Sequence, residues 1–317
     1  MVAPPSLAAP PQSPSSGEHS TAAHGLAGAS KPVPATTRPA PKGTRLPAPK
    51  RVAELVGSRS ANSSVFRLAD GRLQAEVSAR PVHYRDAAGR WQDIDTAVRP
   101  SLASVRAHGF EFGNETNQFA SAFGNRSDRL ARFTRGGQAL TLGVTGTPRA
   151  VSPRASGDTV TFDGALGDAD VSYQVTPEAL KERIVLSARP VDPTFTFTVD
   201  MTGLTAKTHD NGSVAFFASP GLETRPLFVM PAPFMTDSRV DRNSPYGLAW
   251  SPKVSQTLVQ HGSTLTVMVH ADRKWLADPT RVYPVVVDPT IRVEARTALQ
   301  CGKRHRCRQS RCSGLTG

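Results

Sequence analysis

In Trp275-Leu-Ala-Asp-Pro-Thr-Arg-Val-Tyr-Pro-Val-Val-Val-Asp-Pro-Thr-Ile291, two Asp-Pro turns bracket a short run that is almost entirely apolar and β-branched. A proline pushes the residue before it out of the helical region, and Val285 to Val287 favour a pleated, half-buried surface. The run is therefore expected to be a strand with a stop at each end, and a chain built on such segments is a sheet protein.

The rest of the chain from residue 53 supports that expectation by alternation. Leu73-Gln-Ala-Glu-Val77 leads through Ala79–Tyr84 to the polar break Arg85-Asp-Ala-Ala-Gly-Arg90 and then to Trp91-Gln-Asp-Ile-Asp-Thr-Ala-Val98, which reads as a hairpin. The same signature recurs where Arg135-Gly-Gly-Gln138 separates Leu130–Phe133 from Ala139–Val144, and where Asp210-Asn-Gly-Ser213 separates Phe195–Val199 from Val214–Phe217. Asn-Gly and Gly-Gly supply the positive φ that tight hairpin turns require. Helical windows are few: Arg51–Val56 could make one or two turns, and Pro177–Lys181 places proline at a tolerated first-turn position. Short strands with regular turn signals predict a mostly β fold, with antiparallel, sandwich-like sheets in one or two lobes.

Composition divides the chain. Residues 1–52 hold 11 of the 27 prolines, with Ala, Ser, Thr and Gly and almost nothing large and apolar to bury, so they are expected to form a disordered Pro-rich arm. A first β-rich lobe is expected over 53–148 and a second over 149–291, with Thr145–Ala150 as a soft boundary. Residues 292–317 form a basic, Cys-containing tail expected to be disordered. The formal charge of +12 invites a nucleic-acid reading, but residues 1–52 carry +5 and residues 301–317 another +5, leaving +2 for the middle. Basic tails bind any polyanion through salt-sensitive counterion release. The expected partners are thus cell-wall polysaccharide or another polyanion through the tails, with no specific nucleic acid. No apolar run is long enough for a membrane span, and no signal peptide is visible.

Each group that could do chemistry also has a structural reading. Asp93 and Asp95 share a strand face with Trp91, but catalytic carboxylate pairs need separations set by opposite sides of a sugar ring. Trp91 and Trp275 are the candidate ligand-stacking residues, since indole offers a broad apolar face and one donor. Asp163, Asp168 and Asp170 lack the full calcium-loop pattern and read as a turn. The eight histidines are scattered, and no zincin, nucleophile-elbow or P-loop motif occurs. Cys301, Cys307 and Cys312 with His305 match no familiar zinc spacing. The expectation is no catalytic residue, no metal and no cofactor.

Several pieces, in order, carry a family resemblance: Arg80–Asp95, Val171–Leu186, Phe195–Val199, Pro231-Ala-Pro-Phe-Met235, Trp275–Pro279 and Tyr283–Thr290. They resemble the N-terminal β-rich region of actinobacterial secreted RHS/YD-repeat or DNRLRE-domain wall-associated proteins, giants of the polymorphic-toxin kind. The resemblance implies a non-catalytic structural or interaction segment of an exported cell-surface protein, extracellular or cell-wall associated, and not an enzyme. The change of composition after Ile291 looks like translation in a shifted frame, so a truncated member is expected. The alternatives are a carbohydrate-binding β-sandwich module, which requires an exposed aromatic beside polar groups, and a hydrolase, which requires a His and a carboxylate converging near a nucleophile. The leading reading also implies no perturbed cluster of ionisable groups.

Overall fold

The computed structural model describes residues 49–219 and 225–294. The expected N-terminal arm, apart from its last few residues, and nearly all of the expected tail lie outside the described residues. What is described is mostly β and antiparallel, as the alternation predicts.

Two large sheets form a sandwich. The smaller, of eight strands, runs Val254–His261, Thr264–Ala271, Thr194–Thr202, Gln138–Val144, Ala131–Arg135, Ala120–Gly124, Phe110–Asn114 and Arg99–Pro100. Its strands come from both sides of residue 148, because Gln138–Val144 pairs with Thr194–Thr202. In Thr194–Thr202, Phe195, Phe197 and Val199 are buried while the threonines between them are part-exposed. That period of two is what a sheet with one buried face demands, and each such buried side chain contributes roughly 1.5–3 kcal/mol.

The larger sheet has eleven strands. Arg154–Ser156, Thr159–Phe162, Ala169–Val175 and Ala179–Leu186 follow one another by simple pairing. The next place is shared: Val285–Asp288 pairs with residues 184–186, and Ile291–Val293 with 179 and 180. Pro289 has no N–H to give the ladder, so the strand breaks there and the sheet branches. Val285–Asp288 leads on to Phe234–Val240 and Leu248–Ser251, while Ile291–Val293 leads to Phe228–Met230, Val214–Ala218 and Leu204–Thr208. The bracketed run is a strand, and its second stop is the fork of the sheet.

The core lies between the sheets, where Phe123 meets Tyr173 with ring centres 6.1 Å apart and Phe133 meets Phe228 at 4.9 Å. Gly143 is required by close approach, since a Cβ there would sit 2.3 Å from the Asp128 carbonyl oxygen. Two small sheets precede the sandwich: Arg51–Glu54 with Ser63–Leu68 and Leu73–Val77, and the hairpin of His83–Arg85 with Trp91–Asp93.

Three local expectations are corrected. Pro177–Lys181 is not helical: Ala179–Leu186 is one continuous strand, paired on both sides, and ladder formation outweighs the helix propensity of an Ala-Leu-Lys run. Arg51–Glu54 is likewise a strand, followed by a single 3-10 turn at Val56–Ser58. The Asn211-Gly212 turn joins Val214–Ala218 to Leu204–Thr208 rather than to Phe195–Val199; Gly203, at φ +66°, turns the chain out of one sheet and into the other.

Candidate functional site

The Trp91 hairpin brings together groups far apart in sequence. His83 is directly opposite Asp93 in the hairpin register, and its buried ring has its Nδ1 2.8 Å from the Ser60 carbonyl. A carbonyl only accepts, so Nδ1 carries a proton. Nε2 lies 3.4 Å from both Ser64 Oγ and Asp93 Oδ1. It can accept from the hydroxyl or, when the ring is doubly protonated, donate to the carboxylate. Arg59 closes the set by gripping Glu54 at 2.7 and 2.8 Å and reaching Asp93 at 3.2 Å. The hydrogen bond from Arg59 holds the Glu54 carboxyl down at about 2.

This is the convergence of histidine, carboxylate and hydroxyl that the hydrolase alternative requires. Hydroxyl and carboxylate approach the same ring nitrogen, however, and the ring is 4% exposed, so the half of the set that meets solvent is Asp93. Asp95 parts company with Asp93, bonding the Ala97 N–H and Arg99. His83 was legible as a partner of Asp93 only by counting outward from the Asp86–Gly89 turn.

Of the two tryptophans proposed for stacking, Trp91 has the Arg85 guanidinium 4.2 Å over its ring and Trp275 has that of Arg281 at the same distance. Arg281 also bonds Asp237 at 2.9 Å, with side-chain exposures of 7% and 0%. The third tryptophan, Trp250, which no sequence signal marks, faces solvent beside Tyr246. Asp163 turns to Arg154, and Asp170 accepts the Gly164 N–H. Cys301, Cys307, Cys312 and His305 lie outside the described residues.

The expectation of no perturbed cluster of ionisable groups meets a buried carboxyl inside the sandwich. Glu182 is buried with its carboxyl 2.9 Å from the Tyr173 hydroxyl. Burial lifts its pKa to about 8, with the Asp288 charge acting in the same direction and the tyrosine hydrogen bond against it. Asp288, also buried, bonds Lys181 at 3.2 Å. Among the described residues, no helix is long and apolar enough to cross a membrane.

No protein-family model matches the chain, and no solved structure matches it. It is 28% identical over 249 residues to the tRNA3(Ser)-specific nuclease WapA of Bacillus spizizenii. It is 27% identical over 245 residues to the tRNA(Glu)-specific nuclease WapA of Bacillus subtilis subsp. natto, and 27% identical over 249 residues to the tRNA nuclease WapA of Bacillus subtilis. Each match takes in 75% of this chain but spans about a tenth of the relative's length, 10% in all three.

These relatives correct four expectations. Their names are those of tRNA nucleases, not of RHS/YD-repeat or DNRLRE proteins. A non-catalytic structural segment and the exclusion of enzymatic activity do not stand beside nuclease relatives. Neither does the exclusion of a specific nucleic acid. The pieces that carried the resemblance are strand-and-turn grammar, which speaks to fold more than to function, and a net charge summed over the body says nothing about how charge is laid out on one face.

Proposed function

We propose that this chain is a region of a protein that cleaves tRNA. The reading rests on one observation: similarity along three quarters of the chain to three proteins that carry tRNA-nuclease names. The specificities in the names of two of them differ, so the class of substrate is proposed and not the individual tRNA. The test is to incubate total tRNA with the protein as its gene encodes it, across divalent-ion and pH conditions, and to resolve the RNA on a denaturing gel. Discrete fragments support the reading, and a tRNA pool that stays intact throughout overturns it.

The proposal extends to export. All three cysteines lie at or beyond Cys301, and a sandwich without thiols suits an oxidising exterior and a reducing interior equally. Fractionation of the producing cells tests it, the expected location being the culture medium or the wall fraction, against recovery in the cytoplasm alone.

A further inference from the structure

Residues directly paired across strands share a face of the sheet, so the register identifies the outer side of the larger sheet, on which Ser172, Ala179 and Asp288 are nonetheless buried. Ser172 pairs with Arg183, Gln174 with Lys181, and Ala179 with Arg292. Val185 pairs with Val286, Val286 with Thr236, and Thr236 with Trp250. Phe234, two residues from Thr236, pairs with Asp288. At one end this face carries Lys181, Arg183 and Arg292 together with Asp170, which pairs with Val185, and the buried Asp288; at the other it carries aromatic side chains.

In the aromatic half, Phe234 stacks on Tyr246 with ring centres 4.1 Å apart and planes 10° from parallel, and Trp250 meets Tyr246 edge-on at 5.3 Å. Tyr246 is 46% and Trp250 36% exposed. At the charged end, Asp288 neutralises Lys181, and Asp158, which accepts from Gln174, adds a further carboxylate to that of Asp170. Arg183 instead bonds the Gln174 amide oxygen at 2.6 Å. Among the described residues no carboxylate pairs with Arg183 or Arg292, and Arg292 is exposed.

We infer that this face, around Tyr246, Trp250, Arg183 and Arg292, binds a single-stranded segment of RNA. Aromatic rings stack on any base because every base has a π-face, and guanidinium groups track the phosphates that join the bases. A polyanion without rings needs only the cations, and a neutral sugar only the aromatics; the two halves together fit a chain that carries both. The inference rests on the tRNA reading for its choice of ligand, since tRNA displays its unpaired bases in loops and at its end.

The test is fluorescence anisotropy of a labelled single-stranded RNA, roughly ten nucleotides long, titrated with the whole chain at several salt concentrations. Expected are an affinity that falls with salt, a loss of about fivefold or more for Trp250→Ala and for Tyr246→Ala, and a salt slope reduced by about 1 for Arg292→Ala. Trp91→Ala, whose ring lies under Arg85, should bind as the parent does. Circular dichroism and a urea midpoint show that each variant is folded; Arg292 is exposed, so its substitution stands even if an aromatic variant is lost. Absence of binding at the lowest salt overturns the inference. Binding unchanged in all three face variants does so too, while leaving tRNA cleavage standing. Loss of binding in those variants with tRNA left intact by the protein sinks the nuclease reading and keeps the surface. Equal competition by an anionic polysaccharide, insensitive to Trp250→Ala, removes the role of base stacking and overturns the inference.

Discussion

The Tyr173 hydroxyl donates to Glu182 Oε1 at 2.9 Å, between directly paired positions of neighbouring strands and inside the sandwich. Burial holds the Glu182 pKa at about 8, above its ordinary 4.5. Between those values the folded chain keeps a proton that the unfolded chain has lost, so stability is full below about pH 4.5 and falls as pH rises to about 8. Thermal unfolding should show a Tm that declines across this window and levels above it. Glu182→Gln should flatten the decline and leave the protein more stable than the parent at pH 9. A parent Tm that rises from pH 5 to 8, with no difference in the variant, rejects the assignment.

Arg281 and Asp237 form a buried pair, and Trp275 stacks on the guanidinium. Removing one partner leaves the other charge uncompensated. Arg281→Ala should cost about 3–5 kcal/mol in urea unfolding. Arg281→Lys should restore only part of this, because an ammonium loses the planar stack on Trp275. Full rescue by lysine would show that charge alone matters here.

Gly143 passes over the Asp128 carbonyl with no room for a methyl group. Gly143→Ala should destabilise by about 1–3 kcal/mol or more through overpacking. Gly146→Ala provides the contrast, since nothing lies near its Cβ position and its penalty comes from a φ of +106°. Equal urea midpoints for Gly143→Ala and the parent contradict the packing described here.

The two Asp-Pro-Thr turns are built alike: Asp278 Oδ1 accepts both the N–H and the hydroxyl of Thr280, and Asp288 Oδ1 accepts both from Thr290. They differ in burial, since Asp288 is buried and Asp278 exposed. Thr290→Val should therefore cost about 1–3 kcal/mol, the penalty for stripping a donor from a buried acceptor, and Thr280→Val distinctly less. Similar costs at the two sites would mean that the fork of the sheet places no special demand on its turn.

The sandwich was legible wherever apolar and polar residues alternate, as in Phe195–Val199, and wherever Gly-Gly or Asp-Pro supplied a turn. The pairing of distant strands was not. Asn211-Gly212 announces a hairpin, yet which strand it returns to depends on the bend at Gly203. Glu182 sits in Lys181-Glu-Arg183, a charged triplet that reads as surface, and only the register with Tyr173 turns it inward. His83 and Asp93 could be matched by counting from their turn, whereas the approach of Ser64 depends on a separate sheet. Nothing local marks Trp250, because its aromatic neighbours, Phe234 and Tyr246, are contributed by the opposite strand and by the loop before its own.

Ultraviolet cross-linking of tRNA to the whole protein, with the attached peptides mapped by mass spectrometry, bears most directly on the account. Cross-links concentrated between Phe234 and Trp250 are the predicted result. Cross-links confined to other parts of the sandwich, or none at all at low salt, would contradict it.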